Sequence, residues 1–442
     1  MKVLFVNPPF VRYNSNFPKN DIKLKNHILL KILKVNQKFY SVRPLYRLIN
    51  FLCSFSKLKF GVRAGSRWPW SASPPIGAIN FPFIMAYATS YLQSKGIEVG
   101  LIDSIAEAQY SYSHFLKQVK NENADIVVIE CSAPTIDIDL WMAKEISKFT
   151  KVALAGPHLT SEAEKIKIKH PYITYLLKGE YIKSSWEMVN TKKPGIYESE
   201  VITELDSIPF PYRNFNCSSN FYDFSMPTQR PQLQIWGSKG CPFKCSYCLW
   251  PQTMYKGKVA LRDPKKIAKE IKECVKKHNY KSIFFDDDTF NLGTERISEL
   301  CDELKKIGIP WTMMGRLDCS PDWLYDKMVD SGCVGMRFGL ETFNVDVLKR
   351  INKGLERIDF LKTIKYLSEK YPKLMIHLTM MKNLPEQTEE IHQKDMKILK
   401  DMGYKRNRRF PHKPSKYRKY QLSTCMPFPG TRLHTELLQK NK

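Results

Sequence analysis

Three cysteines, Cys241, Cys245 and Cys248, fall within eight residues in the stretch GSKGCPFKCSYCLWPQ, Gly237 to Gln252. Thiolates so close together are ligands for a soft or borderline metal. A structural zinc site wants four protein ligands in a closed tetrahedron, and no second Cys-x2-Cys pair is present to complete one. An iron–sulfur cube held by three thiolates keeps one iron open for a ligand that does chemistry. Spacing alone leaves three readings in this order: an iron–sulfur cluster, zinc, or unligated thiols. Cys53, Cys131, Cys217, Cys274, Cys301, Cys319, Cys333 and Cys425 show no ligand spacing and read as core or surface thiols. Eleven cysteines in a chain whose first residues do not read as a secretory leader argue for reduced thiols over a disulfide framework.

The elements that must position these cysteines read as two alternating strand and helix series. In the first half the apolar runs KVLFVNPP, IEVGLID (97–103), DIVVIECS (125–132), KVALAGPH (151–158) and ITYLLKGE (173–180) predict strands, with helices between them over 82–95 and 137–149. Short β-rich runs separated by helices imply a parallel sheet covered on both faces, a Rossmann-like doubly wound domain whose ligand lies beyond the carboxyl ends of its strands. The dinucleotide fingerprint G-x-G-x-x-G is missing after the first strand, which disfavours a nicotinamide or flavin cofactor. At the strand ends stand Asn7, Pro8 and Pro9, then Ser132 to Thr135, Gly156-Pro157-His158, and Gly179-Glu180. A segment over 191–230, rich in Pro, Asn and Ser, reads as a linker. Six more strands follow, at 232–240, 281–288, 310–316, 335–341, 373–381 and 420–428, fewer than a closed barrel needs. The expected α/β architecture is a first domain over 1–190 with a basic insertion at 11–67, the linker, and a partial (β/α)6 barrel over 231–442. The cysteines then follow the first barrel strand, at the carboxyl rim.

At 442 residues, 43% hydrophobic and 26% charged, the chain suits folded domains, and no run approaches the roughly 20 apolar residues of a membrane-spanning helix. We expect a cytoplasmic protein. The net charge of +26 raises nucleic acid, anionic membrane or acidic substrate as partners. Lys19 to Arg67 carries twelve Lys or Arg against one acid, Asp21, and Leu45, Leu48, Ile49 and Leu52 share one helical face. Such a segment reads either as a solvated basic helix or as peripheral contact at the inner membrane face. A second basic run over 405–419 reads as a surface loop.

At its cysteines the chain resembles the radical S-adenosylmethionine (SAM) superfamily, whose hallmark Cys-x3-Cys-x2-Cys is matched by Cys241, Cys245 and Cys248, with the aromatic Tyr247 before the last. The resemblance implies a 4Fe-4S cluster whose open iron binds SAM, and one-electron cleavage to a 5′-deoxyadenosyl radical. It extends along the second half. FFDDDTF (284–290) resembles the second-strand motif, GLETFNVDVLKRINKG (339–354) the fourth, NLPEQTEE (383–390) the fifth and MPFPGTRL (426–433) the sixth. It implies SAM contacts for Glu341 and Pro385 and a role for Asp287 in orienting SAM. The fifth motif usually begins with Gly where Asn383 stands, and Asn tolerates the same left-handed backbone. The first half is similar to the cobalamin-binding domains of one large subgroup, which implies cobalamin contacts from Asn7, Pro8, Pro9, Ser132, Gly156, His158 and Glu180. The Asp-x-His-x-x-Gly motif for a lower axial histidine is absent after the first strand, as is common in that subgroup. CLWPQT (248–253) looks like a hopanoid-biosynthesis branch acting on lipids.

Structural readings stand beside these. An acid among Asp286, Asp287 and Asp288 caps the next helix as readily as it orients SAM. His158 reads as a turn histidine, and Glu180 as a helix N-terminal acid. Tyr247 and Trp250 read as shields of the cluster. The expected function is a cobalamin-dependent radical SAM methyltransferase acting on an unactivated carbon or phosphorus centre. It would work on a small-molecule or lipid-like substrate with a flavodoxin or ferredoxin type electron donor. The alternatives are a non-methylating radical rearrangement, ring contraction or carbon–carbon bond formation on a lipid or glycan-linked substrate, and a zinc-stabilised nucleic-acid-binding protein supported by charge alone. A methylthiotransferase would need a second three-cysteine set, which the chain lacks.

Overall fold

The computed structural model describes residues 1–9, 11–13, 58–60, 78–104, 106–107, 109, 111–213, 223–224, 229, 231–406 and 417–440. Apart from 58–60, the basic insertion singled out over 19–67 lies outside the described residues, as does most of the second basic run. The chain divides into two units, 1–202 with 207–224, and 203–206 with 225–442.

In the first unit β1 is Lys2–Asn7, β2 Glu98–Asp103, β3 Ile126–Glu130, β4 Lys151–Ala155, β5 Tyr175–Lys178 and β6 Gly195–Glu198. They form one sheet in the order β2-β1-β3-β4-β5-β6, every pairing parallel. This is the flavodoxin-like winding with one more strand, and its switch point lies between β1 and β3. Val3 to Val6 have no exposure, as a strand covered on both faces requires. The helices are α1 (Phe83–Ser94), α2 (Tyr112–Asn121), α3 (Ile136–Ile146), α4 (Pro157–Lys169) and α5 (Tyr181–Thr191). One difference from expectation is β6, which falls inside the segment read as a linker. Its four residues GIYE are half exposed at the sheet edge, so they lack the apolar run that marks an internal strand.

In the second unit β7 (Gln232–Ile235), β8 (Ser282–Phe285), β9 (Trp311–Gly315), β10 (Cys333–Glu341), β11 (Met375–Lys382), β12 (Lys405–Arg406) and β13 (Arg418–Thr424) pair in the order β7-β8-β9-β10-β11-β13-β12. All pairs are parallel. The sheet does not close on itself, so it is a partial barrel. Between strands run α6 (Leu249–Thr253), α7 (Pro264–His278), α8 (Thr294–Ile307), α9 (Asp322–Asp330), α10 (Val345–Arg350), α11 (Phe360–Lys370) and α12 (Glu389–Asp401), with α13 (Arg432–Lys440) last. Alternate strand residues, including Ile235, Phe285, Met313, Phe338 and Leu378, pack with helix residues such as Ile271, Leu300, Leu324 and Ile364 in one apolar cluster. Helices therefore cover one face of the sheet, and the intervening strand residues occupy the other.

Candidate active site

The loop that leaves β7 is held in place by the end of β8. Asp287, with no exposure, accepts from the Gly237 amide at 2.8 Å and from the Ser238 hydroxyl at 2.7 Å. Asp288 accepts from the Gly240 amide at 2.9 Å. The helix-capping alternative does not apply here, since the N-cap of α8 is Gly293 and no side chain caps it. Gly240 has φ +83°, and a Cβ there would stand 2.1 Å from the Lys258 carbonyl oxygen, so only glycine fits.

Beyond Gly240 the three cysteines are each constrained differently. Cys241 Sγ lies 3.4 Å from the Thr289 hydroxyl. Cys245 is buried with Arg316 Nη1 at 4.0 Å. The Arg316 guanidinium is gripped by Asp318 at 2.8 and 2.7 Å, donates to the Lys353 carbonyl at 2.6 Å, and stacks 3.6 Å over the Phe243 ring. Gln252 Nε2 donates to the carbonyls of Cys245, Ser246 and Cys248, and its Oε1 accepts from the Arg432 amide at 2.8 Å. The CLWPQT segment thereby ties the cysteine loop to the start of α13. Ser246 adds two backbone bonds, to Ile351 at 2.9 Å and from Leu433 at 3.0 Å.

The electrostatics fit a metal-ligand role for the thiols. Burial pushes the Cys241 thiol up, and Cys248 lies well above the ordinary thiol range because of burial and then the neighbouring Cys245 and Cys241. Three thiolates crowded this way are stable together only around a cation that offsets their charge. Burial opposes the Arg316 cation, and the Asp318 pair more than compensates. Lys353, also buried, is kept protonated by Glu341 at 3.0 Å and reaches the Tyr247 hydroxyl at 3.3 Å. Among the described residues no three His, Cys, Asp or Glu side chains converge on a point that one metal ion could occupy. An iron–sulfur cube is wider than one ion, and its thiolates need not meet at a point.

Glu341 stands at the end of β10 with φ +75°, after a register shift between Gly339 and Glu341. A Cβ on Gly339 would stand 2.8 Å from Lys353 Nζ and 2.9 Å from Glu341 Oε1, so the pair closes over a bare backbone. Asn383 adopts φ +60°, the left-handed turn that glycine usually supplies at this motif, and Pro385 follows half-buried. Arg316, Lys353 and Gln252 escape a reading of the sequence because each lies outside the cysteine spacing. For Lys353, the twelve-residue separation from Glu341 within one resembling segment was the available signal.

In the first unit Asn7, Ser132, Gly156 and Glu180 all stand at the carboxyl ends of the parallel strands, Asn7 and Ser132 on the two sides of the switch point. Asn7 Nδ2 donates to Asp103 at 3.1 Å, and Pro8 and Pro9 are buried beside it. Ser132 Oγ is 3.0 Å from the Thr135 hydroxyl. Gly156, φ +105°, lies so close to β3 that a Cβ would stand 2.5 Å from the Cys131 carbonyl oxygen. His158, in the first turn of α4, is half-buried; burial lowers its pKa, and its Nδ1 has no hydrogen-bond partner among the described residues. Glu180, before α5, accepts from the Ile202 amide at 3.2 Å. Small residues at these strand ends, with one buried nitrogen that lacks a hydrogen-bond partner among the described residues, fit a ligand with polar substituents.

Residues 237–394 match the family model for the Radical SAM superfamily. An uncharacterised methyltransferase of Pyrococcus horikoshii is 24% identical over 396 residues, 83% of this chain and 80% of that one. Among solved structures, the radical SAM methyltransferase TsrM of Kitasatospora setae, with cobalamin and a 4Fe-4S cluster bound, superposes with a TM-score of 0.62 at 14% identity, covering 82% of this chain and 72% of that one. The cobalamin-dependent SAM radical enzyme OxsB superposes with a TM-score of 0.60 at 15% identity, covering 83% of this chain and 54% of that one. At these identities the structural matches show a shared fold.

Proposed function

We propose that this chain, which carries a radical SAM domain over residues 237–394, is a cobalamin-dependent radical SAM methyltransferase acting on an unactivated carbon or phosphorus centre. The observation that carries the reading is the cysteine loop: three thiols at the carboxyl rim of an open parallel barrel, clamped by Asp287, Asp288 and Gln252, with two buried cations beside them. Cys241, Cys245 and Cys248 would hold a 4Fe-4S cluster, and the strand-end residues Asn7, Ser132 and Gly156, with His158 in the first turn of α4, would hold cobalamin. When bound, these groups supply one-electron cleavage of SAM and carriage of a methyl group.

The chain's own residues do the positioning. Asp287 and Asp288 fix the amides of Gly237 and Gly240 and so fix where Cys241 begins. Arg316 and Lys353 place positive charge beside Cys245 and Cys248, which lowers the cost of gathering thiolates and tunes the potential at which an electron is accepted. Glu341 holds Lys353 and is itself held at the open rim, where the amino acid part of SAM would lie. Tyr247 and buried Trp250 would shield the cluster from water.

A lipid-like substrate and peripheral membrane contact through residues 19–67 belong to this reading on the strength of the basic amphipathic pattern. No helix among the described residues is long and apolar enough to cross a membrane. Deleting 19–67 is expected to abolish binding to anionic liposomes.

Reconstituted protein incubated anaerobically with SAM, cobalamin and a strong reductant tests the main reading. Both 5′-deoxyadenosine and S-adenosylhomocysteine are expected, each lost in the triple alanine variant of Cys241, Cys245 and Cys248. Deoxyadenosine alone would replace methyl transfer by rearrangement, and neither product from cluster-loaded protein would overturn radical chemistry.

A further inference from the structure

The charges around the cysteine loop are sorted by burial. Its acids are engaged inside the fold: Asp287 holds Gly237 and Ser238, Asp318 grips Arg316, Glu270 pairs with Arg262, and Glu341 with Lys353. Its lysines are exposed. Lys244 lies within the loop itself, between Cys241 and Cys245. Lys258 is exposed while its carbonyl packs against Gly240, the residue before Cys241. Ser238 and Lys239 pair antiparallel with Leu261 and Ala260, which fixes this second segment beside the loop. Lys265 and Lys266 follow in the first turn of α7, both exposed. Among the described residues from 240 to 270 the one exposed acid is Asp263, and its carboxylate is occupied in capping α7 through the Lys266 amide at 2.9 Å.

Cys241 is only half-buried, unlike Cys245, and exposed Pro242 follows it. Leu261 is 44% exposed at the end of the paired segment. Apolar residues set among like charges suit a protein partner, with an apolar centre and a polar rim. Redox encounters use small contacts of this kind, and complementary charge steers the partner and sets its orientation. None of the exposed residues from 240 to 270 is aromatic, so the surface offers no platform on which bases of a single-stranded nucleic acid would stack. SAM is cleaved with one electron, which an external donor must deliver. Transfer falls off steeply with distance, so the donor's own redox centre has to come up against the cysteine loop.

We propose that Lys244, Lys258, Lys265 and Lys266, with exposed Leu261 among them, form the docking surface for an acidic protein that carries a one-electron cofactor. The donor is oxidised by one electron. SAM, a sulfonium, takes up that electron as its C5′–S bond breaks to give methionine and the 5′-deoxyadenosyl radical, and no proton moves in the step. The proposal rests on the reading of the second unit as a radical SAM barrel and adds where the electron enters and the charge of the partner that brings it.

Titration of the full-length protein with a flavodoxin, and separately with an acidic 2Fe-2S ferredoxin, tests it, at low salt and at about 0.15 M, where screening shortens to roughly 8 Å. Because a chain of net charge +26 attracts any acidic protein, the double variant Lys244→Glu with Lys258→Glu is compared with a control that removes the same charge, Lys373→Glu with Lys400→Glu. Both control lysines are exposed at the opposite end of the strands, Lys373 just before β11 and Lys400 in the last turn of α12. Expected is a roughly tenfold or greater loss of affinity for at least one carrier in the loop variant, and a change of no more than about twofold in the control. Lys265→Glu with Lys266→Glu, clear of the cysteine loop, should weaken the same carrier and keeps the surface testable if the loop variant does not fold. With the cluster loaded, oxidation of the reduced carrier, followed optically, should slow in the variant that binds it less well; an unchanged rate overturns the assignment. No binding of either carrier to the wild type, or losses no larger than the control's, overturns the surface, as does a loss confined to unfractionated tRNA or anionic vesicles. Binding is read without SAM, so absence of binding in protein that cleaves SAM with a chemical reductant removes this inference alone, whereas failure of cluster-loaded protein to cleave SAM removes the radical reading.

Discussion

Lys353 and Glu341 stand 3.0 Å apart, ammonium to carboxylate, with both side chains more than nine-tenths buried. Breaking such a pair on one side leaves a buried charge uncompensated, at a cost of about 3–5 kcal/mol. Glu341→Ala is expected to lose stability of that order in urea unfolding. The double variant Glu341→Met with Lys353→Met should regain most of it, because neither charge is then stranded. Equal stability of Glu341→Ala and wild type would show that the pair is solvated in solution.

Asp287 receives two donors from the loop that delivers Cys241. Asp287→Asn keeps the shape and replaces one acceptor with a donor facing a donor, which costs on the order of 1–3 kcal/mol locally. We expect iron and sulfide content per chain to fall by roughly half or more on reconstitution, with the first unit's cobalamin uptake unchanged. Full iron content in Asp287→Asn would mean that Asp288 and Gln252 suffice to hold the loop.

Gly240→Ala places a methyl group 2.1 Å from the Lys258 carbonyl oxygen at φ +83°. The left-handed backbone alone costs about 1–2 kcal/mol for alanine, and the clash forces the Ser238–Lys239 pairing with Ala260–Leu261 to open. Expected are loss of iron binding and a lowered thermal midpoint. Gly257→Ala, also at positive φ and with open space around it, serves as the mild comparison.

His377 is held neutral in the folded protein by burial and then by Arg337 and Lys419. Its folded pKa lies below the unfolded value of about 6.5, so the unfolded chain binds more protons and stability falls as pH drops below that value. The loss amounts to at most ~1.4 kcal/mol per pH unit until the folded pKa is reached. His377→Gln, which does not titrate, should flatten the pH dependence of the urea midpoint below pH ~6.5 relative to wild type. Parallel profiles for the two proteins would show that His377 is charged in the folded state.

The cysteine spacing, the parallel winding and the strand-end positions of Asn7, Ser132, Gly156 and Glu180 were legible from sequence because each depends on residues close together in the chain. A buried parallel strand announces itself by a continuous apolar run, as KVLFVN does. Asn383 announced its left-handed turn by residue type and adopts it. Edge strand β6 was read as linker because an edge needs no such run.

What tertiary structure alone decided are relations set by strand register and by backbone direction. Arg337, His377 and Lys419 are separated by about forty residues each and become neighbours only because three parallel strands align them. Asp287 could have capped a helix or faced a ligand; the β7–β8 pairing turned its carboxylate to the cysteine loop instead. Gln252 found its three carbonyl partners because the loop coils back over it. Residue types set which chemistry the chain can host, since ligand and donor character are local properties. Which groups meet is a matter of long-range pairing, and a one-residue change of strand register would turn Arg337, His377 or Lys419 to the other face of the sheet.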